Sequence, residues 1–191
     1  LKSRFITTAS HEFRTPLTTI LLCVEFLEHY RDKTTEEKKR QYYTRIQTAV
    51  NRITQLLNDV LLTEKAKAGK LEFNPVPMEL EKFCRNLVEE MQLNAGSKHI
   101  INFESFGQCH EPCLDEKLLW YILSNLLSNG IKFSPQGGNI KFDLICQPGE
   151  AIFRIQDRGI GIPPHDQLQV FNSFHRGSNV NTIPGTGLGL S

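Results

Sequence analysis

The chain has 191 residues, which is long enough for one large domain or two small ones. Its hydrophobic share of 39% and charged share of 23% are those of an ordinary globular protein, and a formal net charge of +1 gives no reason to expect nucleic acid or an anionic membrane as a partner. No apolar run approaches the length of a membrane span, no signal peptide opens the chain, and the abrupt start in a helical pattern suggests a piece of a longer protein.

The five cysteines are odd in number and scattered, which argues against a disulfide framework. They favour a reducing compartment, and the expected location is the cytoplasm, with any membrane anchor of the parent protein lying upstream. Cys109, His110 and Cys113 are metal-ligating residue types, but a second ligand pair at a familiar spacing is lacking. Buried or loop thiols are therefore the favoured interpretation.

A first helix is predicted over residues 3–29. Its apolar residues follow a heptad seam made of Ile6, Phe13, Ile20 and Leu27, with Leu17 and Val24 between them. Another face is polar and carries His11 and Thr15, so His11 is expected to be exposed, opposite Phe13. Pro16 lies inside the pattern and is expected to bend the helix just beyond the histidine.

Polar residues 31–37 interrupt the apolar pattern, and Thr34 or Thr35 is the predicted cap of a second helix, which runs to about Ala68 and ends at Gly69. Its seam alternates spacings of three and four residues: Tyr43, Ile46, Val50, Ile53, Leu57 and Val60. Two long helices joined by a short turn predict an antiparallel hairpin. Because a hairpin buries only one face of each helix, we expect a homodimeric four-helix bundle; the alternative is that the hairpin packs on the rest of its own chain.

Residues 70–77 change in character and predict a short strand and linker, which puts a domain boundary between residues 1–69 and 70–191. The pattern beyond this boundary predicts the following elements: a helix at 79–94, a strand at 100–103, a helix at 115–133 begun by Asp115, and paired strands at 139–146 and 151–156. After Asp157 the sequence is rich in glycine and proline, which favours loops.

The segment 10–18 (SHEFRTPLT) sets an imidazole beside a carboxylate on the exposed stripe of the first helix. A packed core does not require that arrangement. His11 and Glu12 are therefore candidates for a nucleophile and the base that prepares it. A solvated surface histidine is the alternative, and it would be preferred if the rest of the chain offered His11 nothing to attack.

Two clusters in the second half favour a nucleotide ligand. Asn125 and Asn129 lie four residues apart on a predicted helix, so their amides face the same way, and amide oxygens suit a hard cation such as Mg²⁺. Gly159 and Gly161 let the backbone approach a flat ligand closely, and a buried carboxylate of Asp157 could accept a hydrogen bond from the amino group of adenine. Taken singly, ordinary surface asparagines and a plain loop explain these residues as well.

Two further clusters follow. Phe171 and Phe174 with Arg176 favour a lid anchored by its aromatic residues, with simple packing of aromatics on the core as the alternative. Alternate glycines in residues 185–191 (GTGLGLS) expose consecutive backbone N–H groups, which can cradle phosphate. This spacing is neither the Rossmann nor the Walker form.

The four clusters follow residues 10–18 in an order that is specific for one family. With these motifs the chain resembles the sensor histidine kinases of two-component signalling over nearly its whole length. The resemblance implies an α+β fold, with a helical hairpin that forms a dimeric four-helix bundle, followed by an α/β sandwich of the Bergerat type shared with DNA gyrase, mismatch-repair ATPases and heat-shock ATPase chaperones. It implies autophosphorylation with ATP and Mg²⁺, transfer of the phosphate to an aspartate of a response regulator, and no nucleic acid partner.

The resemblance also implies a role for each candidate residue. His11 matches the phosphoacceptor, Glu12 the general base, and Thr15 the residue that orients water when the regulator is dephosphorylated. In the N box of the nucleotide site, Asn129 matches the Mg²⁺ ligand, Asn125 lies one turn before it, and Lys132 matches a lysine that approaches phosphate. Asp157 matches the adenine-reading aspartate, and Gly159 and Gly161 match the first glycine box. Phe171 and Phe174 match the F box, Arg176 matches a lid cation, and the second glycine box is matched by Gly185, Thr186, Gly187, Leu188 and Gly189.

Two features depart from the family pattern. Gly130 stands where alanine is usual in the N box, and because glycine weakens a helix interior by about 1 kcal/mol, a slight loosening is expected without loss of activity. The sequence stops at Ser191, where relatives continue with a helix and closing strands, so the ATP-binding domain is expected to lack its C-terminal part.

The alternative functions are a related ATPase that drives conformational change by hydrolysis, and a non-catalytic docking module or a phosphatase acting through Thr15.

Overall fold

The computed structural model describes residues 2–30, 34–110, 112–180, 183 and 185–190, apart from the side chains of residues 2–9 and 94. Its helices are α1 (Lys2–His29), α2 (Glu36–Lys67), α3 (Leu80–Ala95) and α4 (Glu116–Lys132), with a short 3₁₀ turn at Gly96–Lys98. Its strands are β1 (Val76–Pro77), β2 (His99–Phe106), β3 (Cys113–Leu114), β4 (Gly138–Gln147) and β5 (Glu150–Gln156). The order confirms a helical hairpin followed by an α/β sheet domain.

The hairpin ends are formed by the residues that the sequence singles out. Thr35 caps α2, and its hydroxyl accepts a hydrogen bond from the backbone N–H of Lys38. Gly69 has φ of 64° just beyond α2, which is the left-handed conformation that glycine adopts most readily at a helix end. Helix α1 continues through Pro16. The interruption predicted at residues 31–37 lies partly outside the described residues, at 31–33.

The apolar residues that the hairpin buries lie beside the predicted seams and not in them: Cys23 on α1 and Ala49 and Leu56 on α2. Five of the predicted seam residues are instead large apolar side chains that stay exposed in this single chain: Leu17, Val24, Tyr43, Val50 and Leu57. An exposed apolar stripe of this length is typical of an interaction surface.

The second part is a two-layer arrangement of one sheet and two helices. Strand β2 pairs in parallel with β4, and β4 pairs antiparallel with β5, so β4 is central. Helices α3 and α4 cover one face and enclose an apolar core formed by Leu80, Cys84, Leu87, Met91, Ile101, Leu119, Leu123, Leu127, Ile140, Phe142 and Leu144. The strands β1 and β3 form a separate antiparallel pair that joins the linker to the start of α4.

Helix α4 begins as predicted. The Asp115 carboxylate accepts hydrogen bonds from the backbone N–H groups of Leu118, at 3.0 Å, and Asn74, at 2.8 Å. These two bonds lower the pKa of Asp115, so the cap stays ionised at neutral pH. After β5, the described residues form turns and no further helix or strand, as the glycine and proline content predicts.

The prediction of unpaired thiols is wrong for two cysteines, because Cys109 and Cys146 form a disulfide with a Cα–Cα distance of 5.0 Å. The parallel register sets Phe106 beside Ile145, so the chain leaves β2 next to Cys146. Only that strand pairing brings together residues that are 37 positions apart. Cys23 and Cys84 are buried free thiols, as expected. Within the described residues, no cluster of His, Cys, Asp and Glu can hold a metal ion, and no helix is both long and apolar enough to cross a bilayer.

Candidate functional site

His11 lies on the exposed face of α1, as its position in the helical pattern predicts. The neighbouring Glu12 points to the other helix, where its Oε2 accepts a hydrogen bond from the Arg52 guanidinium at 3.1 Å. Its side chain is 16% exposed, so Arg52 compensates a carboxylate that is largely removed from water. Consecutive helical residues do not face each other, and this is why Glu12 pairs across the hairpin and not with His11 in this conformation.

Beside His11, a groove of about 260 Å³ runs between α1 and α2. It is lined by the following residues: Thr15, Pro16, Thr19, Thr44, Arg45, Thr48, Ala49 and Arg52. The Thr15 hydroxyl lies 3.4 Å from the His11 carbonyl oxygen, one helical turn earlier. Thr15 is exposed and Pro16 is buried, so the hydroxyl remains at the surface, one turn from the histidine.

The two predicted asparagines lie on the same side of α4, against the last glycine of the chain. A Cβ at Gly189 would lie 3.4 Å from Asn125 Oδ1 and 3.8 Å from Asn129 Nδ2. The glycine-rich segment therefore passes directly over both amides. Gly130, on the adjacent buried face, has room for a methyl group, because its nearest neighbours would be 3.6 Å away. Close packing does not require glycine there.

Lys132 lies against the glycine-rich segment at residues 185–189. Its ammonium group occupies the space where a side chain at Gly185 would begin. Burial lowers its pKa, the charges of Arg176 and Arg52 lower it further, and Glu12 opposes the shift. The charges of the Glu12–Arg52 pair thus act on a lysine that lies at the glycine-rich segment.

The segment that follows β5 packs onto the end of α4. The Phe133 carbonyl accepts a hydrogen bond from the Ile160 backbone N–H at 3.0 Å, and a Cβ at Gly159 would overlap this same carbonyl group. Gly161 has φ of 65°, a conformation that favours glycine. Asp157 is exposed, which corrects the prediction of a buried carboxylate, and its Oδ1 accepts a hydrogen bond from the Gly159 N–H at 2.8 Å. That bond fixes the direction in which the carboxylate points.

The two phenylalanines of the lid segment differ. Phe174 is half-buried, has φ of 63°, and donates its backbone N–H to the Gly187 carbonyl at 2.7 Å. A Cβ at Gly187 would lie 2.5 Å from the His175 carbonyl oxygen, so the lid and the glycine-rich segment are in direct contact. Phe171 is 71% exposed, which does not fit an anchoring residue. Only the second phenylalanine therefore fits the predicted anchor.

The ends of the lid and of the glycine-rich segment are held by local hydrogen bonds. The Arg176 guanidinium donates to the carbonyl oxygens of Val180 and Ile183, at 2.9 and 2.5 Å. The Thr186 hydroxyl accepts a bond from the Leu188 N–H at 3.2 Å, and Leu188 is buried. Arg176 thus stabilises the lid itself, while its charge still acts on the lysine of α4.

A polar cluster in the lid was not predicted from the sequence. The buried Asp166 accepts hydrogen bonds from the backbone N–H and the hydroxyl of Ser178, at 2.8 and 2.9 Å. These bonds, the backbone one above all, lower its pKa. The Nε2 atoms of His165 and His175 lie 3.5 and 3.4 Å from its two oxygens. Only folding of the loop brings these residues together, since they span 13 positions without a regular spacing.

Three other residues near the site were also missed. Arg52 pairs with the candidate base, and Tyr121 on α4 donates a hydrogen bond to Asp59 on α2 at 2.5 Å. One signal was available: Arg52 and Asp59 are charged residues that adjoin apolar seam positions of α2. A charge close to a buried face usually has a specific partner.

These features define a class of protein: a hairpin with an exposed histidine, followed by an α/β domain in which a glycine-rich segment packs against two helical asparagines. Family comparisons agree with this class. Residues 1–69 match the His Kinase A (phospho-acceptor) domain. Residues 114–191 match the ATPase domain described as histidine kinase-, DNA gyrase B- and HSP90-like.

Individual relatives give the same result. Drug sensory protein A of Synechocystis sp. is 32% identical over 206 aligned residues, which cover all of this chain and 30% of the relative. The sensor histidine kinase WalK of Bacillus subtilis is 30% identical over 198 residues, which cover all of this chain and 32% of the relative. The chain therefore spans about a third of the length of these curated relatives, and it belongs to the sensor histidine kinase family.

Solved structures resemble this fold along nearly the whole chain. Full-length ShkA in complex with AMPPNP superimposes with a TM-score of 0.68 at 27% identity, covering 98% of this chain and 39% of ShkA. The complex of the histidine kinase ThkA with the response regulator TrrA gives a TM-score of 0.63 at 18% identity, over 93% of this chain and 52% of the other, and at that identity it shows the fold alone.

The residues present fit a magnesium nucleotide. The two amide side chains of α4 are neutral oxygen donors of the kind that a hard cation accepts. The glycine-rich segment provides backbone without side chains beside them, since even a Cβ at Gly189 would lie within 3.4 Å of Asn125 Oδ1. A half-buried ammonium group, that of Lys132, lies at the same segment. Amide oxygens, bare backbone and one cation are the groups that phosphates and their metal ion require.

Proposed function

We propose that this chain is the catalytic portion of an ATP-dependent protein-histidine kinase that phosphorylates His11 and passes the phosphate to an aspartate of a response regulator. One observation carries the proposal beyond family membership. Lys132 lies at the glycine-rich segment, and the charges of Arg52 and Glu12 on the hairpin act on it, so the phosphate end of the nucleotide site lies close enough to the hairpin to interact with the candidate base. The reaction needs these two surfaces to meet.

The chemistry of the first step follows from the residues. A nitrogen of the neutral His11 imidazole attacks the γ-phosphorus of ATP, a nitrogen–phosphorus bond forms, and the bond to the bridging oxygen breaks, so that ADP leaves with the electron pair. Glu12 accepts the imidazole proton, for which its pairing with Arg52 must loosen or its second oxygen must be used. Lys132 compensates the negative charge that develops on the leaving side.

The nucleotide is held by the remaining candidates. Asn129, with Asn125 one turn before it, would hold Mg²⁺, which supplies charge neutralisation on the phosphates when bound. Asp157 is fixed by the Gly159 N–H through one oxygen, which leaves its other oxygen for the adenine amino group. The backbone of residues 185–189 would contact the phosphates, with Phe174 and Arg176 holding the lid over them.

Partner contacts complete the proposal. The exposed stripe on α1 and α2 would pair with a second copy in a four-helix bundle, with residues 1–69 as the dimerisation part and 70–191 as the ATP-binding part. The groove beside His11 would receive the regulator, and Thr15 at its rim would orient the water that removes phosphate from the regulator. The expected location is the cytoplasm, where ATP and a regulator are available.

The test uses the full-length protein that contains this chain, incubated with γ-labelled ATP and Mg²⁺. Wild-type protein is expected to acquire label that is lost in acid and retained in base, and His11→Gln is expected to acquire none. His29→Gln is the matched control, since His29 is exposed at the far end of the same helix. Hydrolysis of ATP without labelled protein would point to an ATPase instead, and binding of ATP without either would point to a docking module or a phosphatase.

A further inference from the structure

The Cys109–Cys146 disulfide joins a strand to a connecting segment. Cys146 lies near the end of β4, whereas Cys109 follows the end of β2 and lies outside any helix or strand. The chain approaches β4 closely before it reaches Cys109, since a Cβ at Gly107 would lie 2.5 Å from the Cys146 carbonyl oxygen. The disulfide therefore fixes the chain between β2 and β3 to the strand that is paired on both sides.

The segment fixed by this disulfide also holds the linker from the hairpin. Strand β3 begins at Cys113 and pairs with β1, so that Leu114 lies opposite Val76. Beside this pair, the Met78 backbone N–H donates a hydrogen bond to the Pro112 carbonyl oxygen at 3.0 Å. Because β1 belongs to the connection between α2 and α3, these contacts attach the linker to the α/β sheet domain. The disulfide anchors them three residues before Pro112.

The disulfide lies at a groove that small molecules can enter. Both of its cysteines are half-buried, and both line a groove of about 590 Å³ between α3 and the end of β2. Pockets for small molecules measure about 300–1,000 Å³. Lys82, Arg85 and Glu89 line the same groove, and charges of both signs suit a ligand that carries carboxylate and ammonium groups. Cys84, by contrast, is buried in the apolar core.

We propose that Cys109–Cys146 is a site of thiol–disulfide exchange with a small peptide thiol of the glutathione class, and that its reduction releases the linker between the hairpin and the nucleotide site. The control of phosphorylation that follows from this release rests on the proposed function. In the cytoplasm, the proposed location, disulfides are usually transient and are catalytic or redox-sensing. A position at the edge of a groove fits such a bond, because exposed disulfides are the more easily reduced ones.

The exchange is a two-electron reduction that takes place in two steps. In the first step, a thiolate of the reductant attacks one cysteine sulfur and the S–S bond breaks. The other cysteine leaves with the electron pair and takes up a proton from water. In the second step, another thiolate attacks the reductant sulfur of the mixed disulfide, so that the second cysteine becomes a thiol and the two reductant molecules leave joined by a disulfide. The oxidised reductant restores the bond by the reverse steps.

Reduction releases the linker because the contacts that the disulfide supports are small. Strands β1 and β3 contribute two residues each, and a short two-stranded pair is marginal by itself. With the linker released, the nucleotide site moves more freely relative to the hairpin. Phosphorylation of His11 then becomes faster, because a mobile nucleotide site reaches an exposed histidine more often.

The test uses the full-length protein that contains this chain, equilibrated in buffers with graded ratios of reduced to oxidised glutathione. Alkylation followed by mass spectrometry is expected to show Cys109 and Cys146 changing together from a disulfide to two thiols. Two rates are then measured: trypsin cleavage after Lys70, which is exposed in the linker, and labelling of His11 from ATP. Both rates are expected to rise about fivefold on reduction, because each follows the population of molecules with a released linker.

Matched variants separate this disulfide from the other thiols. Cys109→Ser and Cys146→Ser are expected to show the rates of the reduced protein in every buffer, with thermal unfolding as the check that they are folded. Cys113→Ser is the control, because Cys113 is exposed in the same segment but lies outside the disulfide, and this variant should respond as wild type does.

The outcomes distinguish this inference from the proposed function. A disulfide that persists in excess reduced glutathione, or that only a dithiol protein reduces, would overturn the exchange site. Equal cleavage rates in both redox states, or equal labelling rates in a protein that forms phosphohistidine, would overturn the control of the linker. Faster cleavage on reduction, without phosphohistidine in either state, would contradict the proposed kinase and leave the exchange site and the release of the linker standing.

Discussion

The histidine region and the nucleotide region achieve their functional geometry in different ways. His11 is presented by one helix, so helical spacing alone makes it exposed. The nucleotide region is assembled from α4 and three later loop segments that meet through contacts with almost no spare room: Gly159 against the Phe133 carbonyl, and Gly187 against the His175 carbonyl. The first region tolerates change in its surroundings, whereas the second depends on close packing.

In the histidine region one helix presents a single side chain, whereas in the nucleotide region several segments must assemble into one site. A nucleophile that must meet both a nucleotide domain and a regulator benefits from being exposed on a rigid rod. A site that binds phosphates must bring several backbone segments together, and glycine at the contacts removes the side chains that would hold them apart. Substitutions in the two regions should therefore impair the protein in different ways.

A charge in the exposed apolar stripe of the hairpin tests whether the helices that present His11 form a dimer. Leu57→Glu sets a charge in the middle of a stripe that a second copy would bury, in both copies at once. Burying charges without partners costs about 4 kcal/mol or more, which corresponds to a dissociation constant raised about 1,000-fold. Sedimentation equilibrium is expected to show a dimer for wild type and a monomer for the variant. Gln41→Glu, on the opposite face of α2, should remain dimeric, and a wild-type monomer would contradict the four-helix bundle.

Gly159→Ala tests whether the nucleotide region depends on close packing of its segments. The new Cβ overlaps the Phe133 carbonyl group, so either the loop after β5 or the end of α4 must move. Overpacking of this kind costs about 1–3 kcal/mol, and the displaced loop carries Asp157, so nucleotide affinity is expected to fall about 100-fold. Calorimetric titration measures the loss. The hairpin should still dimerise, and an unchanged affinity would show that the loop is not part of the site.

Glu12→Gln tests the base without touching the nucleotide region. Removing a general base lowers the rate of the chemical step by about 100-fold, so the initial rate of His11 labelling should drop by that factor. Nucleotide affinity should stay within about twofold, because Glu12 lies outside the nucleotide site. Glu28→Gln on the exposed surface of α1 is the matched control. A labelling rate equal to that of wild type would remove Glu12 from the mechanism.

Gly130→Ala is a second glycine-to-alanine substitution, and it is expected to stabilise the protein, in contrast to Gly159→Ala. The position is helical and a Cβ meets its nearest neighbours at 3.6 Å, which is ordinary contact. Alanine should stabilise the helix by about 1 kcal/mol, equivalent to a rise of about 2–4 °C in Tm for a protein of this size. Calorimetric unfolding measures it. A decrease in Tm would mean that the N-box helix needs glycine for a reason that packing does not reveal.

Regular elements were predicted well from the sequence because their signals are local. Periodicity located α1, α2, α3 and α4, and the caps Thr35 and Asp115 lie where side-chain chemistry predicts them. Strand β2 is longer than predicted, since only part of its sequence alternates clearly. The motif residues of the nucleotide site were found through the order of the clusters, and not through the properties of any one of them.

Contacts between distant segments escaped prediction for a common physical reason. The Cys109–Cys146 disulfide depends on the register of two parallel strands, the Glu12–Arg52 pair on the rotation of two helices about each other, and the Asp166 cluster on the path of a loop. None of these is encoded by spacing within one element. The exposure of Asp157 and Phe171 was likewise a matter of how segments lie together.

Helix periodicity, capping chemistry and motif order act over short stretches of chain, and for this reason the elements, the family and the exposed histidine could be predicted from the residues alone. Only the folded chain shows that Glu12 pairs with Arg52, that the Lys132 ammonium lies at Gly185, and that Asp59 on α2 pairs with Tyr121 on α4. Such decisions follow from burial: a polar group removed from water must find a partner, and only the folded chain fixes which partner is within reach.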